Sequence, residues 1–302
     1  MSAVAPAAPG AQPNPFVSDT HLRRRRLRSR AMEVLALIAT LIAVAVLGLV
    51  IVSVAVKGAS AISFNLLFHS ERPFGEAGGG IANAIVGTVI LVALASAMAV
   101  PVGILVGLYT SQFAGSRGAS IVRFALDILN GVPTIVTGIF IFALIVYGKA
   151  QSGWAGSIAL AIIMLPIVAR SAHEVLALVP TDLREASLAL GVARWRTALR
   201  IIVPTAGSGL ITGALLAVAR VAGETAPLLL TSSIFATTVG TSPTTALASI
   251  PVRIFQLTET PSPQEHAQAW AAALLLIVFV LLLNVLARTL FGRSNKRSKA
   301  TR

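Results

Sequence analysis

Glu185-Ala186-Ser187-Leu188-Ala189-Leu190-Gly191, followed after nine residues by Ile201-Ile202-Val203-Pro204, stands between two long apolar stretches. The run reads as a polar helix, a glycine turn and a second helix carrying Arg194, Arg196 and Arg200. Pro204 then opens the next apolar stretch. A chain rarely keeps a charged, helix-forming excursion between membrane-class segments unless something docks there. The alternative is a helix lying on the membrane surface, which Trp195 and the arginines would suit. That alternative gives Glu185 and Gly191 no evident purpose.

Hydrophobic residues make up 56% of the 302 positions and charged residues 12%, against roughly a quarter charged in soluble domains. Several apolar runs exceed the ~18 residues that mark a membrane span. The fold class that follows is all-α, a polytopic membrane helical bundle. With no cysteine, the chain has no disulfide, thiolate metal site or cysteine nucleophile. The net charge of +13 would suit nucleic acid, but the basic residues bunch beside the apolar runs. That placement is the positive-inside pattern, and no nucleic-acid partner is expected.

Apolar stretches near 34–56, 82–109, 124–147, 154–170, 205–231 and 268–290 predict six transmembrane helices. The first follows Arg23-Arg24-Arg25-Arg26-Leu27-Arg28-Ser29-Arg30, and Ala59-Ser60-Ala61 resembles a signal cleavage site. At about 23 residues the stretch exceeds the 7–15 of a signal h-region, so it is read as an uncleaved span. Placing the arginine cluster in the cytoplasm puts both termini there. Nineteen Lys and Arg then fall on the inner side, against Lys57, Arg72, Lys149 and Arg253 on the outer. The expected organisation is a disordered basic tail at 1–30, a first span with its outer loop at 31–80, a core at 81–291 holding an inner loop at 171–204, and a basic tail at 292–302. Small residues crowd the second and fifth spans, including Gly87, Gly103, Gly209 and Gly213, and predict close helix packing in lipid.

Charges at bilayer depth are costly, so each needs a partner or a task. Arg123 with Asp127, Arg170 with Glu174, and Arg220 with Glu224 stand at i,i+4, which places each pair on one helix face. The first two lie at inner span ends, where an interfacial pair suffices. Arg220 lies about sixteen residues beyond Pro204, roughly 24 Å along a helix and well inside the span. A structural salt bridge is one reading of Arg220 and Glu224. The other is an anion site: the guanidinium offers a bidentate fork to an oxyanion, and Thr225 adds a hydroxyl. Glu224 would restrain the arginine in the empty site and accept a hydrogen bond from a protonated ligand oxygen. Phosphate carries such a proton at neutral pH, and sulfate does not.

The loop pattern resembles the EAA loop of ABC importer permeases, with Ser187 at the third place of the triplet and Val203 where leucine is usual. Arg220-Val221-Ala222-Gly223-Glu224-Thr225-Ala226-Pro227 resembles a motif of phosphate-specific ABC transport permeases. Gly78-Gly79-Gly80-Ile81-Ala82-Asn83-Ala84-Ile85-Val86-Gly87-Thr88 and Pro101-Val102-Gly103-Ile104 resemble the PstA type within that group. The likeness runs over about 78–290. It implies the type I importer (MetI-like) permease fold and a role in moving inorganic phosphate into the cytoplasm. It implies that Arg220 and Glu224, with Thr225, Arg170 and Glu174, meet the substrate. Glu185, Ala186, Ser187, Gly191 and Pro204 would couple to an ATPase. The implied partners are a second permease of the PstC type, a homodimeric ABC ATPase of the PstB type, and an extracytoplasmic phosphate-binding protein of the PstS type.

No Gly-x-x-x-x-Gly-Lys-Ser/Thr run occurs, so ATP and magnesium are expected on the partner ATPase, with no cofactor or metal in this chain. An intramembrane enzyme would need a nucleophile–base pair or a metal cluster at bilayer depth. His21, His69, His173 and His266 lie in tails or near span ends. A passive channel or structural subunit fits the spans and leaves the docking loop without purpose. Within the transporter class, the competing substrate is another oxyanion, sulfate or molybdate. The outer segment 232–267, rich in proline, is expected to form a gate or a receptor contact.

Overall fold

The computed structural model describes residues 19–72 and 79–299, and every regular element among them is an α-helix or a short π turn. Contacts divide the chain into two units, Met1–Ser53 and Val54–Arg302. The described part of the first unit, residues 19–53, belongs to one continuous helix, α1 (Asp19–Ala59), whose last six residues fall in the second unit. It begins inside the segment expected to be disordered. Leu and Arg are strong helix formers, and extending an existing helix is cheap once the apolar run has nucleated it. The expected tail at 1–18 lies outside the described residues. The second basic tail is likewise helical as far as Lys299, because α13 (Pro263–Lys299) runs through it.

In the second unit, a short helix α2 (Phe64–Phe68) precedes α3 (Ala82–Gln112). α3 lies along α6 (Gly153–Ala177), and α10 (Gly207–Val221) lies along the same α6. Glycines set these pairings. A Cβ on Gly107 would stand 2.5 Å from that of Ala172, and one on Gly103 would stand 2.8 Å from that of Val168. The matched steps along both helices make α3 and α6 parallel. On the other side of α6, Gly213 faces Ser171 and Gly209 faces Val175, so α10 runs antiparallel. Both directions agree with the alternation of a six-span chain. Lipid supplies no hydrophobic drive between helices, so close backbone approach and dispersion do the work. Leu91, Leu160, Met164, Ala217 and Val221 fill the seam between the three helices.

Among the described residues, four helices are long and apolar enough to cross a membrane, and two bent pairs bring the number to six when each counts as one crossing. The third expected span, 124–147, is such a pair rather than one rod. α4 (Arg117–Gly131) and α5 (Thr134–Ile141), which continues as a π turn over Phe142–Val146, meet at 97°. Val132, forced into extended backbone by Pro133, makes the corner at φ −71, ψ 127. Pro101 and Pro166, by contrast, ride inside continuous helices.

The fifth expected span, 205–231, is interrupted twice. The inner-loop helices α7 (Thr181–Ala189) and α8 (Arg194–Thr197) come first. A π turn (Ala198–Ile202) and α9 (Val203–Thr205) then meet α10 at 73°. Beyond Val221 the helix stops, and α11 (Ala226–Thr231) restarts it.

The outer segment 232–267 is folded. Its helix α12 (Ile250–Thr258) packs on α13, burying Ile250, Val252 and Leu257. Ile250 N–H donates to Thr88 Oγ1 at 2.8 Å, and Gly153 N–H, at the start of α6, donates to Thr245 O at 2.8 Å. The segment therefore satisfies a backbone donor at the start of α6, and a hydroxyl of α3 satisfies the first donor of α12.

Candidate functional site

Arg220 occupies the last turn of α10, and Glu224 lies past its end. Ala222 N–H still donates to Val218 O at 2.9 Å, and Glu224 N–H turns back to Val221 O at 3.0 Å. Leu228 and Leu229 N–H both donate to Thr225 O at 3.1 Å, starting α11. The expected i,i+4 face is therefore absent. Pro227, which has no N–H to give, prevents the helix from continuing. Among the described residues Arg220 and Glu224 form no ion pair. Arg220 is exposed on this chain's own surface, while Glu224 and Thr225 are half-buried. The expectation that Glu224 restrains the arginine by direct contact is corrected. Pro227 itself is buried against Gly138 of α5, where a Cβ would come within 2.7 Å of its Cα. The break is thus anchored to the bent third crossing.

Arg170 belongs to a different level. Its Nε stands 3.9 Å from Glu174 Oε1, as the spacing predicts, and its Nη1 stands 3.4 Å from Asp127 Oδ1. Asp127 does not pair with Arg123 as expected; Arg123 Nη2 donates to Ala114 O at 2.9 Å. All three charged side chains of this cluster are more than half exposed, so the bridge between α4 and α6 contributes little on its own. Beside it, His173 Nδ1 and Thr110 Oγ1 are 3.0 Å apart. The antiparallel register carries Arg220 to the height of Met164, six residues outward of Arg170 and roughly 9 Å along the axis. The structure does not bring Arg170 and Glu174 to the Arg220 position. It places them at two separate levels of the bundle.

The inner loop holds its motif in a closed turn. Gly191 adopts φ +74, a conformation that costs a side chain about 1 kcal/mol. Val192 N–H reaches back to Ser187 O at 3.1 Å and Gly191 N–H to Leu188 O at 2.9 Å, the paired bonds of a Schellman stop. Ser187, the departure at the third place of the triplet, is buried. Its hydroxyl lies 2.7 Å from that of buried Thr197, tying α7 to α8. Sequence reading missed Thr197, because whether two hydroxyls ten residues apart meet across a glycine turn depends on the angle of that turn. Glu185, Ala186 and Leu190 are exposed, and Pro204 lies in the short helix before the 73° bend. The loop offers a polar-and-leucine face directly joined to the helix that carries Arg220.

A third group was also missed. Glu71, just before α3, is 2% exposed. Asn83 Nδ2 donates to Glu71 Oε1 and to Ala236 O, each at 3.0 Å, and Arg253 of α12 stands 3.5 Å from Glu71 Oε2. Burial pushes this carboxyl above the ordinary carboxylate range, against the downward pull of Arg253 and of the hydrogen bonds. The group pins the outer segment to the start of α3.

Residues 99–299 match the family described as the binding-protein-dependent transport system inner membrane component. The chain is 38% identical over 284 residues to the phosphate transport system permease protein PstA of Pasteurella multocida strain Pm70, covering 93% of this chain and 100% of that protein. It is 41% identical over 273 residues to the protein of the same name from Yersinia pestis, covering 89% and 92%. PstA 1 of Mycobacterium tuberculosis strain CDC 1551 is 41% identical over 221 residues, 69% of each chain. Among solved structures, a chain from the inward facing MetNI methionine ABC transporter superposes with a TM-score of 0.55 at 19% identity, covering 70% of this chain and 92% of that one. This last likeness speaks for the fold alone.

Proposed function

The chain belongs to the binding-protein-dependent transport system inner membrane components, and within them to the phosphate-transport permeases of the PstA type; on that footing we propose which of its residues meet the substrate and which the energy source. It is an integral inner-membrane protein, the permease subunit of an ATP-driven phosphate importer, and a transporter rather than an enzyme. ATP hydrolysis belongs to a separate subunit, and phosphate is favoured over sulfate or molybdate as cargo.

Arg220, Glu224 and Thr225 form this chain's share of the central anion station. The observation that carries the reading is the interruption of the fifth crossing at Ala222–Thr225, with an exposed guanidinium on one side and a carboxyl on the other, unpaired with each other. Broken helices in transporters occur where irregular backbone lines a cavity. A planar fork in a low-dielectric passage attracts an oxyanion strongly, and a nearby carboxylate accepts from the one oxygen that phosphate keeps protonated. Because Arg220 faces away from this chain's own core, a second permease of the PstC type completes the station from the opposite side. Arg170 and Glu174, about 9 Å inward by register, act as an exit station.

The excess of basic residues beside the inner loop and both ends supports a cytoplasmic placement of loop and termini. On that side, a PstB-type ATPase dimer, which binds ATP and magnesium, receives the face bearing Glu185, Ala186 and Leu190. Ser187, Gly191 and Pro204 hold that face rigid and pass its movement through the 73° bend into α10. A PstS-type binding protein delivers phosphate at the outer segment. No cofactor is assigned to this chain.

The test is labelled-phosphate uptake by vesicles holding the complete complex. Arg220→Lys keeps the charge and loses the fork, so uptake should fall at least tenfold with assembly intact, and excess sulfate should leave parental uptake unchanged. Near-parental uptake by Arg220→Lys, or competition by sulfate, would overturn the assignment.

A further inference from the structure

At the junction of the inner end of α3 with α7 and α8 lies a groove of about 650 Å³. Its walls are apolar, from Leu105 and Tyr109 on one side to Trp195 and Leu199 on the other. Two cations, Arg184 and Arg194, line it, and no acidic residue does. Arg196 stands 5.2 Å from the centroid of the Trp195 ring.

Two donors at the groove have no acceptor: Arg184 Nε and Gln112 Nε2 are buried and make no hydrogen bond. The Arg184 guanidinium is held from its other end, where Nη2 donates to Leu176 O at 3.2 Å. Its idle N–H is therefore fixed in place rather than waving in solvent. Native proteins seldom bury donors in this state, so a small shift of each side chain toward an acceptor in the groove is expected.

We propose that this groove binds an anionic phospholipid of the inner leaflet. The phosphodiester is held by Arg184, Arg194 and the Gln112 amide, and an acyl chain lies along Leu105 and Tyr109. The assignment rests on the placement of the coupling loop in the cytoplasm. Depth selects lipid over a soluble partner: Leu105 lies seven residues up α3 from Gln112, roughly 10 Å into the apolar span, beyond the reach of an ATPase. Charge selects an anionic headgroup over an apolar helix of a second permease, which would leave both donors unsatisfied. Trp and Tyr at the interface beside an arginine cluster are the residues that such headgroup sites use.

Trp154→Phe with Trp270→Phe leaves Trp195 as the only tryptophan of this chain, and with every tryptophan of the partner subunits also replaced by phenylalanine its fluorescence reports on this groove alone. The full complex is reconstituted in phosphatidylcholine vesicles. These carry a small fraction of phosphatidylglycerol brominated on its acyl chains or, in a matched set, brominated phosphatidylcholine. Each basic residue near the surface is worth about fivefold in affinity for anionic lipid, so phosphatidylglycerol should quench Trp195 at about one-fifth the mole fraction or less. Arg184→Gln with Arg194→Gln should bring the two lipids level. Arg194→Gln alone, at an exposed position, should narrow the difference. Excess inorganic phosphate should not reverse the quenching.

Equal quenching by both lipids in the parent would overturn the proposal, as would a preference that survives the double substitution. Displacement by inorganic phosphate would make the groove a substrate station instead. Absence of quenching by either lipid would mean that a protein segment fills it. The readout involves no uptake, so it can fail while the phosphate-transport reading stands, or hold while that reading fails.

Discussion

Glu71 is the residue whose protonation bears most directly on the fold. Burial raises its carboxyl above the ordinary carboxylate range, so the folded chain holds that proton more tightly than the unfolded chain. The stability it contributes is full at low pH and is lost as pH rises from the ordinary carboxylate value through the raised one. Glu71→Gln retains a partner for Asn83 and removes the titration. Melts of the detergent-purified variant should therefore stay flat across that window while the parent's decline; parallel curves would mean that burial is not the cause. Glu71→Leu instead strands Arg253 and should cost about 3 kcal/mol. In the inner loop, Ser187→Ala should cost about 1 kcal/mol by breaking the hydroxyl tie to Thr197. Adding Thr197→Val should then cost less than it does alone, a non-additivity read by a double-mutant cycle. The Ser187–Thr197 tie illustrates what a single sequence conceals. The triplet and its glycine are visible as a local pattern, but a contact ten residues away depends on the angle of a turn.

The helices extend the same lesson. Length and hydropathy locate α3, α6 and α13 well, because a rod of twenty or more apolar residues has few alternatives. They do not reveal direction, so the 97° corner at Pro133 and the break after Val221 read as uninterrupted apolar runs. Proline is half a guide: Pro133 and Pro227 stand at the breaks, whereas Pro101 and Pro166 leave their helices continuous. The partner of Asp127 was also illegible, because i,i+4 reasoning searches one helix and Arg170 lies on another. What the glycines predicted was close packing, and that is found. Gly213→Leu should therefore drive a side chain into Ser171 and loosen α10 from α6, at a cost of about 1–3 kcal/mol, visible as a lowered melting temperature. Glu185→Lys should leave the bundle intact while ATPase co-purification and uptake both fall. Parental levels of both would remove the docking role from that face.

The assembled transporter sets the remaining test. Vesicles lacking any one of the second permease, the ATPase or the binding protein should lose uptake, and full uptake without one would strike that partner from the machine. Within this chain, the outer segment is stitched to the far end of α11, on one side of the interrupted crossing. Ser232 Oγ donates to Leu247 O at 3.0 Å and accepts from Leu247 N–H at 2.9 Å, while Gln151 holds the carbonyls of Leu229 and Leu230 and the N–H of Ser233. The segment is thus no free-hanging flap but the long arm of a lever. Its fulcrum sits at α11, whose buried Pro227 bears on α5. Any load on the outer segment is carried through α11, whose last residue, Thr231, lies less than two helical turns from Glu224.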